Sequence, residues 1–129
     1  MKQLTLNQIT KILIAWFKNH ADINSTFYED DFSFNAERNI IYPVTNIEYV
    51  ESNISGKQDT HSSKLTLADL VDENLTGHAD EIYSDMILIA QDFIAWASNA
   101  DEWEFPKTIN IQKFIDDTDD RTAGVVFTF

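Results

Sequence analysis

The chain has 129 residues, 43% of them apolar and 12% aromatic, enough to fill one hydrophobic core and too apolar for disorder. Nine Lys and Arg stand against 22 Asp and Glu, a formal charge of −13, and cysteine is absent. The charge balance repels phosphate backbones and excludes sequence-reading nucleic-acid binding. Without thiols there are no disulfides, thiolate nucleophiles or Cys-ligated zinc.

The length predicts a single domain spanning 1–129. Its charge is uneven: residues 1–64 carry six basic and eight acidic side chains (net −2), and residues 65–129 three and fourteen (net −11). No stretch approaches the ~20 apolar residues that span a bilayer. The run Ile12–Phe17 lacks the cleavage site of a signal peptide. A soluble protein made in the cytoplasm, without membrane association, is the expectation.

Leu6, Ile9, Leu13, Trp16 and Phe17 trace one apolar stripe and predict a helix from about Leu4 to Asn19. Thr5 and Gln8, three apart at its start, form a capping-box pair. Phe27, Phe32 and Phe34 straddle the triplet Glu29-Asp30-Asp31, which reads as a turn or a short exposed strand. Ile40–Val50 is rich in β-branched residues, and the strand begins after Pro43 or lies at an edge or bulge there. Ser52–Ser63, polar and containing Gly56, reads as a hairpin tip. Lys64–Val71 is the returning strand.

Between Asp80 and Ser98, Ile82, Met86, Ile89, Phe93 and Ala97 fall on one helical face, broadened by Ala90, Ile94 and Trp96. Glu81, Asp85 and Asp92 lie on another. Asn99 and the acidic, aromatic run Asp101–Glu104 end this helix. Ile109 and Ile111 alternate with polar neighbours as a strand, and Asp116–Asp120 is an acidic turn. Ala123, Val125, Phe127 and Phe129 alternate in a closing strand that must be paired or covered. The fold class expected is α+β: an antiparallel or mixed sheet packed by an N-terminal helix and a second long helix.

Chemistry-bearing patterns are sparse. His20, His61 and His78 share no metal-ligand spacing, and three glycines are too few for phosphate-cradling loops. Counted from Asp116, the glycine and glutamate positions of a calcium loop hold Arg121 and Phe127. Neither a metal, a cofactor nor a catalytic site is expected, and the chain reads as a non-enzyme. Core packing accounts for most of Trp96, Trp103, Phe127 and Phe129 and a subunit interface for the rest, while Asp116–Asp120 reads as a solvated turn or, with the 52–63 loop, as a contact with neighbouring subunits. The candidate interface residues are Glu29, Asp30, Asp31, Trp103, Asp116, Asp117, Asp119, Asp120 and Phe129.

Several short segments resemble a family. Tyr42-Pro43, the helix segment Glu81–Ala97 with its Ser84-Asp85 and Ile89-Ala90-Gln91-Asp92, and the run Asp119–Val125 are similar to the tail-terminator and tail-completion proteins of tailed bacteriophages. The likeness is to the neck and tail ring proteins of phages infecting Bacteroidetes, the crAss-like type. It runs from Ile9 to Phe129 through short motifs. It implies a structural virion protein that forms a homo-oligomeric ring, commonly of six or twelve subunits, at the neck or tail junction. Its neighbours would be portal, neck and tail proteins, and DNA would pass through without specific binding, in a virion assembled in the host cytoplasm. A ring needs head-to-tail contacts that close by rotation, and a carboxylate-lined lumen keeps DNA from sticking. Two alternatives from another class are an acidic DNA mimic and an immunity-type inhibitor, each binding a basic protein.

Overall fold

The computed structural model describes residues 5–28, 42–56, 58–71, 77–100, 103, 105–106, 108–116 and 122–129. Within them are helix α1 (Leu6–Lys18), strands β1 (Ser25–Tyr28), β2 (Val44–Ser55) and β3 (Gln58–Leu70), helix α2 (His78–Ser98), and strands β4 (Gln112–Asp116) and β5 (Thr122–Thr128). The strands form one mixed sheet in the order β1-β2-β3-β5-β4. Only β1 and β2 run parallel; the other pairs are antiparallel. The fold is α+β.

α1 begins as its sequence dictates. The Thr5 hydroxyl accepts from the Gln8 backbone N–H at 3.2 Å, and the Gln8 side chain accepts from the Thr5 N–H at 2.9 Å, so two of the orphan donors of the first turn are satisfied. The buried side of α1 is carried by Leu13 and Phe17.

α2 starts at Gly77, whose φ of 76° is a left-handed conformation that glycine adopts without a Cβ penalty. Asp80 and Glu81 lie in its first turn, where negative charge complements the helix dipole. Ile82, Met86, Ile89, Ala90, Phe93 and Ala97 are buried, the stripe that the periodicity predicts. Beyond Asn99 the last turn is closed by side chains. Asn99 Nδ2 donates to the Ala95 carbonyl at 2.8 Å, and the Trp103 indole N–H donates to that of Ala97 at 2.9 Å.

Both helices pack into the same core as one face of the sheet, contributed by Ile47, Leu65, Leu67, Ala123, Val125 and Phe127. Phe93 lies at its centre: Trp16, Phe17, Trp96, Phe105, Phe127 and Phe129 all place ring centroids 5.0–6.2 Å from its own. Aromatic pairs at such spacings add to the stabilisation from burial alone. Residues of the opposite sheet face are buried as well, including Val44, Asn46 and Ala68.

The structure differs from the sequence expectations in two places, and a third expectation falls largely outside the described residues. Ser52–Ser63 is strand over most of its length, with the connection narrowed to Gly56 and residue 57. Ile109 and Ile111 precede β4 and pack partly buried against the core, so their alternation reflects a connection lying on the core and not a ladder. The phenylalanine-rich segment divides: Phe27 lies in β1, while Phe32 and Phe34 fall outside the described residues. Pro43 does stand just before β2, its carbonyl accepting the N–H groups of Asn24 (2.9 Å) and Ser25 (3.3 Å).

Candidate functional surfaces

Two surfaces stand out: a projecting hairpin and an acidic groove. The hairpin arises because β2 and β3 outrun their neighbours. β1 pairs only with Val44–Ile47, and β5 pairs with Lys64–Leu70, ending in a two-way backbone pair between Ser63 and Phe129 at 2.9 and 3.0 Å. Beyond these limits, β2 and β3 continue to the Ser55–Gln58 pair with only each other as partners among the described residues. The result is an arm, Tyr49–Ser63, reaching roughly 20 Å past the sheet.

At its root the register shifts between Tyr49 and Glu51, so Val50 is an extra residue, a bulge that restores Tyr49 and Ser52 to the same face. There the Tyr49 hydroxyl meets Ser52 Oγ at 2.5 Å, and Ser52 Oγ meets His61 Nδ1 at 2.6 Å. This polar chain ties the two strands together across the Ser52–His61 pair. Ile54, near the tip, is 75% exposed. Gly56 turns the chain with φ 62°, the sign required at the first position of a tight hairpin turn.

The groove lies at the other end of β2 and β3. It has a volume of about 500 Å³ and is lined by Asp22, Asp69, Asp85 and Asp92 together with Pro43, Met86, Leu88 and Ile89. The four carboxylates come from the segment after α1, from β3 and from two turns of α2. Leu88 is 57% exposed beside them. Asp92 Oδ2 lies 3.3 Å from His20 Nε2, while His20 Nδ1 accepts the Asp22 backbone N–H at 3.2 Å. The neutral imidazole thus carries its proton on Nε2 and donates it to Asp92. Among the described residues no lysine or arginine lines this groove, and its four carboxylates suit a cationic partner.

The candidate interface residues fall differently. Glu29, Asp30, Asp31, Asp117, Asp119 and Asp120 lie outside the described residues, and Asp116 ends β4. Trp103 and Phe129 are described, and both are engaged within the chain: Trp103 caps α2 and packs edge-on against Trp96 at 5.6 Å, while Phe129 packs against Phe93 at 5.0 Å. The sequence points to the arm only as a polar hairpin tip, Ser52–Ser63, and does not point to the groove. The arm has no apolar alternation to betray it, and the groove draws its carboxylates from separate parts of the chain.

Among the described residues no cluster of His, Asp or Glu has the geometry to hold a metal ion, and no helix is long and apolar enough to cross a membrane. Comparisons of the chain with protein-family models, curated proteins and solved structures find no match.

Proposed function

We propose that this protein is a structural subunit of a tailed-phage virion, built into a ring at the neck or tail junction and joining head or portal to tail. The observation that carries the reading is the arm: a two-stranded ribbon that leaves its own sheet with neither edge paired among the described residues. Such a ribbon is marginal by itself in water and gains its stability from packing or pairing, which a neighbouring subunit supplies. The excess of carboxylates supports the same reading, since a negative surface lets DNA slide past without adhering. The short motifs Tyr42-Pro43, Ser84-Asp85 and Asp119–Val125 support it through their resemblance to neck and tail ring proteins. In this reading the helices and the core sheet are scaffold, and the work is done by contacts between subunits.

Mass spectrometry of purified virions, with cross-linking, tests the proposal. Recovery in stoichiometric amounts, cross-linked to portal or tail-tube proteins, is the expected result. Absence from the particle overturns it.

The acidic groove favours a second reading, an inhibitor that binds a basic protein. Its apolar floor would take the aliphatic stem of a lysine or arginine while the carboxylates take the head group. Asp22→Asn, Asp69→Asn and Asp85→Asn combined should then abolish capture of the partner at low salt, whereas a ring subunit carrying them should still enter virions.

A further inference from the structure

We infer that the arm is a self-association site: two copies of the chain pair their β3 strands side by side, antiparallel, about a two-fold axis at Thr60. This goes beyond the ring proposal. A two-fold contact uses the same patch twice and cannot by itself close a ring; it makes a dimer in solution, or ties two rings together.

The backbone directions carry the argument. Ser63 exchanges both of its backbone hydrogen bonds with Phe129, so its N–H and C=O point toward the β5 side of β3. Peptide groups alternate along an antiparallel strand, and those of Ser62 and Thr60 therefore face β2, opposite Glu51 and Asn53. Those of His61 and Asp59 face the β5 side again, where no described residue pairs with them. Among the described residues this edge is open over five residues, Gln58–Ser62, between the Ser63–Phe129 pair and the turn at Gly56.

The open edge is self-complementary. An incoming strand must set outward-facing residues opposite outward-facing residues. A two-fold axis at Thr60 does so, placing Asp59 of one copy opposite His61 of the other and the reverse. Two such pairs give four backbone hydrogen bonds, and each turn comes to rest against the other copy's Phe129. At the axis the two Thr60 residues face each other as a non-hydrogen-bonded pair, with Thr60 itself exposed in the single chain. Cross-strand Thr–Thr pairs are favourable.

Two further features single out this edge. Residues 58–62 contain neither lysine, proline nor bulge, the usual devices that keep a strand edge from pairing, whereas the β2 edge of the arm has the bulge at Val50 and β4 carries Lys113. The arm also holds little charge. Residues 49–63 include only Glu51 and Asp59 of the 22 acidic side chains, against Lys57. Two copies of a strongly negative chain can therefore meet here with less repulsion than elsewhere.

The absence of cysteine makes the test direct. A non-hydrogen-bonded antiparallel pair holds its Cα atoms about 4.5 Å apart, within disulfide reach. Under mild oxidation of the purified protein, Thr60→Cys should form an interchain disulfide at least about ten-fold faster than Ser98→Cys, an exposed control on α2, because pairing raises the effective concentration of the thiols. Adding Asp59→Pro should abolish that advantage. The Asp59 N–H takes no part in the ladder with β2, so the fold, checked by circular dichroism and thermal midpoint, should stay intact. Thr60→Lys should independently shift sedimentation from dimer to monomer. Equal disulfide rates for Thr60→Cys and Ser98→Cys overturn the inference, as does an advantage that survives Asp59→Pro.

Discussion

The Thr45 hydroxyl is buried on the core side of β2 and finds no hydrogen-bond partner among the described residues. An orphaned buried hydroxyl is costly, while a methyl group of the same size is not. Thr45→Val should therefore raise unfolding stability by about 1 kcal/mol, read as a higher urea midpoint with unchanged slope. At Gly124, on the opposite face, an added methyl has the reverse effect. A Cβ there would collide with the carbonyl oxygen of Leu67 and come within 2.9 Å of the Ala68 Cα. Both are backbone atoms of the partner strand and cannot swing away. Gly124→Ala should destabilise by about 3 kcal/mol through overpacking, measured in the same titration. Phe93→Ala should cost about 4 kcal/mol, since it empties the centre of the aromatic cluster.

At the scale of elements, what the sequence revealed depended on whether a segment had one face to bury. The stripe Ile82–Ala97 is legible because α2 presents one side to the core, and Thr5 with Gln8 is legible because a cap is local chemistry. The arm is not, because a ribbon with both faces in water has no reason to alternate; its polarity reads as a loop. Ile109 and Ile111 mislead in the opposite way, since a connection that lies on a core can alternate without pairing. Of the candidate interface residues, Trp103 and Phe129 make contacts within the chain, at a helix end and beside the core, a role that residue type alone does not separate from a subunit contact. The arm's independence of the core is testable. Replacing Ser52–His61 by Asn-Gly would join Glu51 to Ser62 through a two-residue turn of the favoured type. The shortened chain should keep its thermal midpoint within about 4 °C of the original, the shift expected for ~1 kcal/mol or less.

For the whole molecule, the governing quantity is its net charge of −13. Self-repulsion of this kind weakens a compact state and is screened by salt. The thermal midpoint should rise as sodium chloride is raised from about 10 to about 150 mM, a range over which the screening length falls from ~30 to ~8 Å. Asp85→Asn should reduce the dependence, because Asp85 shares the groove with three other carboxylates. Differential scanning fluorimetry across a salt series reads both effects.

The position of β5 has a consequence for how the molecule is made. A ribosome delivers the chain from residue 1 onward, and by the time α2 and β4 have emerged, four of the five strands are present. β3 and β4 still have no ladder between them, because the strand that separates them is the last to appear. Until residues 122–129 clear the exit tunnel, the nascent chain holds a core without Ala123, Val125 and Phe127, and β3 presents a long open edge. The sheet is thus finished from its middle. β5 adds to the open edge of β3, and β4, which pairs with β5 alone, can join the sheet only through it.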